Sequence, residues 1–216
     1  MKNDLTELVF ILDRSGSMSG LEKDTIGGFN AMLARQKKEK GRALVSTVLF
    51  DDDTRVLHDR VDIQKVRPMT EDDYFVGSST ALLDAMGGAI HHIAGIHKRL
   101  PESERPSRTV FVITTDGQEN SSRIYSRHEV KAMVQHEQEI YGGEFLFLGA
   151  NMDAIAAARS YGIREDNAVR YECDATGTAL NFEAVSMAVE CVRGGKKLDA
   201  SWKAGVEKDF KKRGHK

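Results

Sequence analysis

Six runs of β-branched and aliphatic residues recur along the chain, at 7–12, 43–50, 55–58, 109–115, 144–149 and 168–171. In Leu8-Val9-Phe10-Ile11-Leu12 and Val110-Phe111-Val112-Ile113 the apolar positions are continuous instead of alternating with polar ones. Strands covered on both faces read this way, as in a parallel sheet between two helical layers.

Between the strands, apolar residues fall at helical spacing. A capping box of Ser19 and Glu22 opens the first helix, whose apolar face is Leu21, Thr25, Phe29, Met32 and Leu33 and which runs to about Lys40. The second begins just after Thr80, carries Leu83, Met86, Ile90 and Ile93, and ends at Pro101. Ser126 and Glu129 form the capping box of a third, with Val130, Met133 and Val134 facing inward and Gly142-Gly143 as the stop. Asp153 caps an alanine-rich helix that stops at Gly162, and a last helix follows Thr178 with Phe182, Val185, Val189 and Val192 before Gly194-Gly195. The alternation predicts an α/β fold: a three-layer, doubly wound, Rossmann-like sandwich with helices on both faces of a mostly parallel sheet. Asp51-Asp52-Asp53 separates two strand runs too close for a helical crossover, so the 55–58 run is expected to pair antiparallel through a solvated acidic turn.

Composition narrows the function classes. With 216 residues, one domain over 1–198 is expected, followed by a basic, partly helical or frayed extension over 199–216 that holds Lys208, Lys211, Lys212, Arg213 and Lys216 near Trp202 and Phe210. Lys plus Arg (31) nearly balances Asp plus Glu (33), which leaves no overall field to concentrate nucleic acid. Cys173 and Cys191 form no CxxC pair and read as buried thiols of a reducing compartment, against a zinc or disulfide scaffold. No apolar run approaches the roughly 20 residues of a membrane span, and Met1-Lys2-Asn3-Asp4-Leu5 leads straight into the first strand, so a cytoplasmic protein is expected.

The candidate chemistry sits where strands run into helices. Asp13, Ser15 and Ser17 follow the first strand within one turn, Thr80 precedes the second helix, and Asp116 ends the 109–115 strand. In a doubly wound sheet such loops gather at the carboxyl ends of the strands, the usual ligand crevice. Hard oxygen donors of this kind suit a small divalent cation, Mg²⁺ first and Mn²⁺ as a substitute. Three of the five donors are neutral hydroxyls, so the ion keeps much of its charge, and octahedral geometry leaves room for water or an incoming carboxylate. The absence of His and Cys among the five speaks against zinc. His91 and His92 diverge by roughly 100° around their helix and carry no expected metal or catalytic role.

Asp13-x-Ser15-x-Ser17, Thr80 and Thr115-Asp116-Gly117 together resemble the metal ion-dependent adhesion site of von Willebrand factor type A domains, a resemblance that covers about residues 5–195. It implies a mostly parallel sheet with one short antiparallel edge strand, and a metal that binds partner proteins through a donated Asp or Glu. The stretch Asp116-Gly117-Gln118-Glu119-Asn120-Ser121-Ser122 is similar to stand-alone bacterial members instead of adhesion receptors.

The expectation is therefore a non-catalytic, metal-dependent protein-binding module. Arg14, Ser78, Ser79, Gln118, Asn120 and Asn151 form the rim that selects the partner, because they occupy loops at the same sheet edge. The alternative is a Mg²⁺-dependent phosphohydrolase with Asp13 as nucleophile, for which Ser15 stands where an acid/base carboxylate is needed and no lysine lies within 77–83.

Overall fold

Strand β1 (Thr6–Asp13) lies inside a six-stranded sheet of order β3-β2-β1-β4-β5-β6, with β2 (Ala43–Phe50), β3 (Thr54–Asp62), β4 (Arg108–Thr115), β5 (Glu144–Gly149) and β6 (Ala168–Arg170). The computed structural model describes residues 4–214. All pairings are parallel except β2 with β3, and β1 is in register with both neighbours, Leu12 facing Leu49 on one side and Thr114 on the other. The chain order reverses between β1 and β4, so the loops after these strands open on one crevice.

The continuous apolar runs divide by parity, as the two-residue period of a strand demands. Leu8, Phe10 and Leu12 join Val110, Val112, Leu146 and Leu148 in one core, covered by α1 (Glu22–Gln36) and α5 (Ala175–Arg193). Val9 and Ile11 join Phe111, Ile113, Phe145 and Phe147 in the other, beneath α2 (Leu82–Arg99), α3 (Arg127–Tyr141) and α4 (Ala154–Ser160). Phe29 meets Phe10 edge-on at 5.4 Å, and Phe111 stacks on Phe145 at 4.6 Å. Each layer thus carries an aromatic contact between elements distant in sequence. Among the described residues no helix is long and apolar enough to cross a membrane.

Several expected boundaries shift for local reasons. The Ser19–Glu22 box does not form: Gly16–Met18 is a 3-10 turn that ends at Ser19, and the Glu22 carboxylate accepts instead from the Gly20 N–H at 2.8 Å. Helix α1 ends at Gln36, short of Lys40. The Ser126–Glu129 box is present with both of its contacts, and Gly142 closes α3 in the left-handed region. Helix α5 starts ahead of Thr178, because Asp174 caps it by accepting from the Gly177 N–H at 2.7 Å. The edge strand β3 is not short; it runs nine residues, with irregular register around Ser46 where Arg60 adopts a φ of 49°.

Asp51 is not part of a solvated turn. Its carboxylate is buried and takes the Arg14 guanidinium at 3.1 Å, while Asp52 and Asp53 remain exposed. The two cysteines are free and half-buried. The 199–212 stretch is folded, with a 3-10 turn at Ala200–Lys203 followed by α6 (Ala204–Lys212), and Trp202, Val206 and Phe210 are buried. The Trp202 indole donates to the Asp166 carbonyl at 3.1 Å, and Lys203 Nζ donates to the carbonyls of Glu165 and Ala168. Lys216 of the basic tail and the leading Met1-Lys2-Asn3 lie outside the described residues.

Candidate metal centre

Strand β1 delivers Asp13 to the crevice as its last residue, and the chain then turns sharply. Asp13 Oδ1 accepts from the Ser15 backbone N–H at 2.7 Å, which curls the loop so that Ser15 and Ser17 project together, their Oγ atoms 3.3 Å apart. Asp13 Oδ2 accepts from the Thr115 hydroxyl at 2.5 Å, tying β1 to the end of β4. There Asp116 Oδ1 accepts from the Ser17 hydroxyl at 2.6 Å.

Thr80 arrives from the long connection between β3 and α2. Gly16 N–H donates to the Ser78 carbonyl at 2.8 Å, Gly77 N–H to the Arg14 carbonyl at 2.7 Å, and Ala81 N–H to the Asp51 carbonyl at 2.6 Å. These bonds hold the 77–81 stretch against the Asp13 loop. Gly117 has no side chain where one would intrude: a Cβ would lie 3.1 Å from Thr80 Oγ1 and 3.5 Å from Ser17 Oγ. The two hydroxyls therefore converge beside Asp116, and the three segments meet at one point.

Asp13, Ser15, Thr80 and Asp116 are buried, while Ser17 reaches solvent. Burial pushes the Asp13 carboxyl up to about 6; the hydrogen bonds from Ser15 and Thr115 act in the opposite direction, and the charge of Asp116 adds to the rise. The Tyr74 hydroxyl, also raised far by burial, stays protonated and donates to the Asp13 carbonyl at 2.5 Å. Among the described residues, no Lys, Arg or His forms an ion pair with Asp13 or Asp116. Arg14, adjacent in sequence, is turned away to Asp51.

Two buried carboxylates without a counter-cation, beside three hydroxyl oxygens at an open crevice, fit a hard divalent ion that supplies the missing positive charge. No group of three or more His, Cys, Asp and Glu that could hold a metal occurs among the described residues. Of the five residues at the crevice, two are carboxylates and three carry neutral hydroxyls.

The expected rim divides. Ser78, Gln118 and Asn151 are exposed, Ser79 is half-buried, and Asn151 takes the left-handed backbone with a φ of 53°. Gln118 also lines a cavity of about 260 Å³ together with Arg127, Met152 and Tyr161. Arg14 is corrected: it is buried, its guanidinium donates through Nη2 to Asp51, and the Phe75 ring covers it at 4.7 Å. Asn120 is exposed but committed, since its Oδ1 accepts from the Thr80 N–H at 2.9 Å.

Sequence reasoning missed Asp51, Tyr74, Phe75 and Cys173. Phe75 is half-exposed and large, on the same connection that carries Thr80. Cys173 donates its S–H to Asp116 Oδ2 at 3.4 Å, its thiol pushed up to about 12 by burial and by the Asp116 charge. Its position in the last strand-to-helix loop is the signal that would have found it.

No protein-family model matches the chain, and no curated protein matches it in sequence. Solved structures do match. Proximal thread matrix protein 1 from the mussel byssus, in a structure with a zinc-occupied MIDAS motif, superposes with a TM-score of 0.59 at 18% identity over 88% of this chain and 47% of its own. A von Willebrand factor type A protein from Catenulispora acidiphila gives 0.57 at 18% identity over 86% and 42%. The PilB minor pilin from Streptococcus sanguinis, as its D319A mutant, gives 0.57 at 11% identity over 92% and 64%. The chain thus spans about half the length of the first two.

Proposed function

We propose, from the premise that this chain has the von Willebrand factor type A fold, that it is a divalent-cation-dependent protein-binding module. Asp13, Ser15, Ser17, Thr80 and Asp116 would hold Mg²⁺, with Mn²⁺ able to replace it. When bound, the ion supplies an electrophilic position open to one outside oxygen, which an Asp or Glu of a partner protein fills. The observation that carries this reading is the pair of buried carboxylates, Asp13 and Asp116, left without a protein cation beside three hydroxyls at the crevice mouth. The zinc-occupied MIDAS motif of the mussel byssus protein supports divalent-metal binding on this fold.

The protein's own residues have distinct parts in this scheme. Ser17 donates its proton to Asp116 Oδ1, which leaves its oxygen lone pairs free to face the ion. Thr115 and the Ser15 N–H occupy both oxygens of Asp13 and hold its carboxylate in one orientation. Ser78, Gln118 and Asn151 offer exposed polar contacts around the incoming acid. A binder is favoured over a phosphohydrolase because Ser15 stands where an acid/base carboxylate would be needed and no lysine lies within 77–83 to hold a phosphoryl group.

The test is an affinity capture with the intact chain as bait in Mg²⁺ and in EDTA, with Ser15→Ala/Ser17→Ala as control. Prey held only by the wild-type bait, and only in Mg²⁺, supports the proposal; identical prey under all conditions sinks it.

A further inference from the structure

We infer that Cys173 is a positioning residue for Asp116, its S–H holding one carboxylate oxygen so that the other is presented to the hydroxyl cluster. The inference rests on reading that cluster as a metal centre.

The two oxygens of Asp116 have different partners. Oδ1 accepts from Ser17 at 2.6 Å, on the side where Ser17 and Thr80 converge, and Oδ2 accepts from Cys173 Sγ at 3.4 Å. Asp116 is buried, so rotation of its carboxylate would break both bonds. One donor per oxygen is the arrangement that fixes a ligand's orientation from behind.

The loop that carries Cys173 is itself held on both sides. Tyr171 N–H donates to the Gly149 carbonyl at 3.2 Å, and Asp174 Oδ1 caps α5 through the Gly177 N–H at 2.7 Å. Gly177 packs so closely that a Cβ there would lie 1.9 Å from the Glu172 carbonyl oxygen. Just past α6 the Arg213 guanidinium binds the Asp174 carboxylate and also takes Asp209 of that helix at 2.7 Å. A chain of direct contacts thus runs from the C-terminal helix through Asp174 to the thiol behind Asp116.

What Asp116 requires at this position is a proton donor, and a hydroxyl can serve as well as a thiol. Cys173→Ser keeps that donor, whereas Cys173→Val fills the position with methyl groups and removes it. The experiment is Mn²⁺ titration of the full chain, followed by electron paramagnetic resonance, for wild type, Cys173→Ser, Cys173→Val and Asp13→Ala, with thermal melts to establish folding. Cys173→Val should lose about 10-fold or more in Mn²⁺ affinity, as removal of an outer-shell donor does, while Cys173→Ser stays within about 3-fold of wild type.

Wild-type affinity in the valine variant overturns the positioning role while leaving the metal reading intact, provided Asp13→Ala still abolishes binding. Equal losses in the serine and valine variants overturn the donor argument. Failure of wild type and Asp13→Ala alike to bind Mn²⁺ removes the metal reading and this inference with it. Should Cys173→Val not fold, Cys173→Ala, a smaller change at a half-buried position, is read in the same way.

Discussion

Thr80 and Asn120 are joined twice: the Thr80 N–H donates to Asn120 Oδ1 at 2.9 Å, and the Asn120 N–H donates to the Thr80 carbonyl at 3.1 Å. The side chain expected to greet a partner is therefore a brace between the β3–α2 connection and the loop after β4. Asn120→Ala removes the side-chain half of this brace. It should cost about 1 kcal/mol of stability and about 10-fold in Mn²⁺ affinity, read by thermal melting and by titration. Unchanged metal affinity would return Asn120 to the rim.

The raised Asp13 carboxyl makes a prediction about pH in metal-free buffer. Its folded value of about 6 lies above the ordinary 3.8, so well below pH 4 both states are protonated and nothing is lost. As pH rises from 4 to 6 the unfolded chain ionises first, and folding grows less favourable. Asp13→Asn should therefore stabilise the EDTA-treated protein above pH 6, by up to about 3 kcal/mol, with the gain vanishing toward pH 4. Urea melts across that range check it; a gain that does not depend on pH would contradict the assignment.

Gly77 packs directly against the ion pair beneath the Thr80 connection. A Cβ at Gly77 would lie 1.6 Å from Asp51 Oδ2 and 2.8 Å from Asp51 Cβ, so the buried carboxylate that holds Arg14 must move. Gly77→Ala should cost about 3 kcal/mol, through overpacking and strain on that pair. Gly88→Ala in α2 meets nothing within 4 Å and should be neutral or stabilising by up to about 1 kcal/mol. Chemical denaturation of the two variants side by side decides it.

Metal removal supplies the fourth test. An ion bound only by the folded chain stabilises it by about 2.7 kcal/mol at 100 times its dissociation constant, a rise of roughly 5–10 °C in melting temperature for a chain of this size. EDTA should abolish the rise, and Ser15→Ala/Ser17→Ala should never show it. A melt that is indifferent to Mg²⁺ in the wild type would count against the centre.

What could be read in advance was whatever local chemistry decides. The Ser126–Glu129 capping box forms because both partners lie within one turn, and the paired cores follow from continuous apolar strands. Asp13 and Asp116 could be placed at one crevice because they follow the neighbouring parallel strands β1 and β4, whereas Thr80 comes to it along the connection from the antiparallel β3. The misreadings arose where a distant residue intervened. Ser19 lost its capping role to the 3-10 turn that brings Ser17 toward Asp116, and Asp51 was drawn inward by Arg14. Cys173 approaches Asp116 from 57 positions away, a pairing that no periodicity announces.

The missing counter-cation beside Asp13 and Asp116 has a consequence for the order of events. Without an ion, the crevice presents two like charges and repels the acidic group proposed as its ligand. A divalent ion would offset both and offer an electrophilic position facing outward, so loading would turn repulsion of the acid into attraction instead of adding to an existing attraction. The module would then follow a fixed order: the metal binds alone, and the acid binds only once the metal is in place.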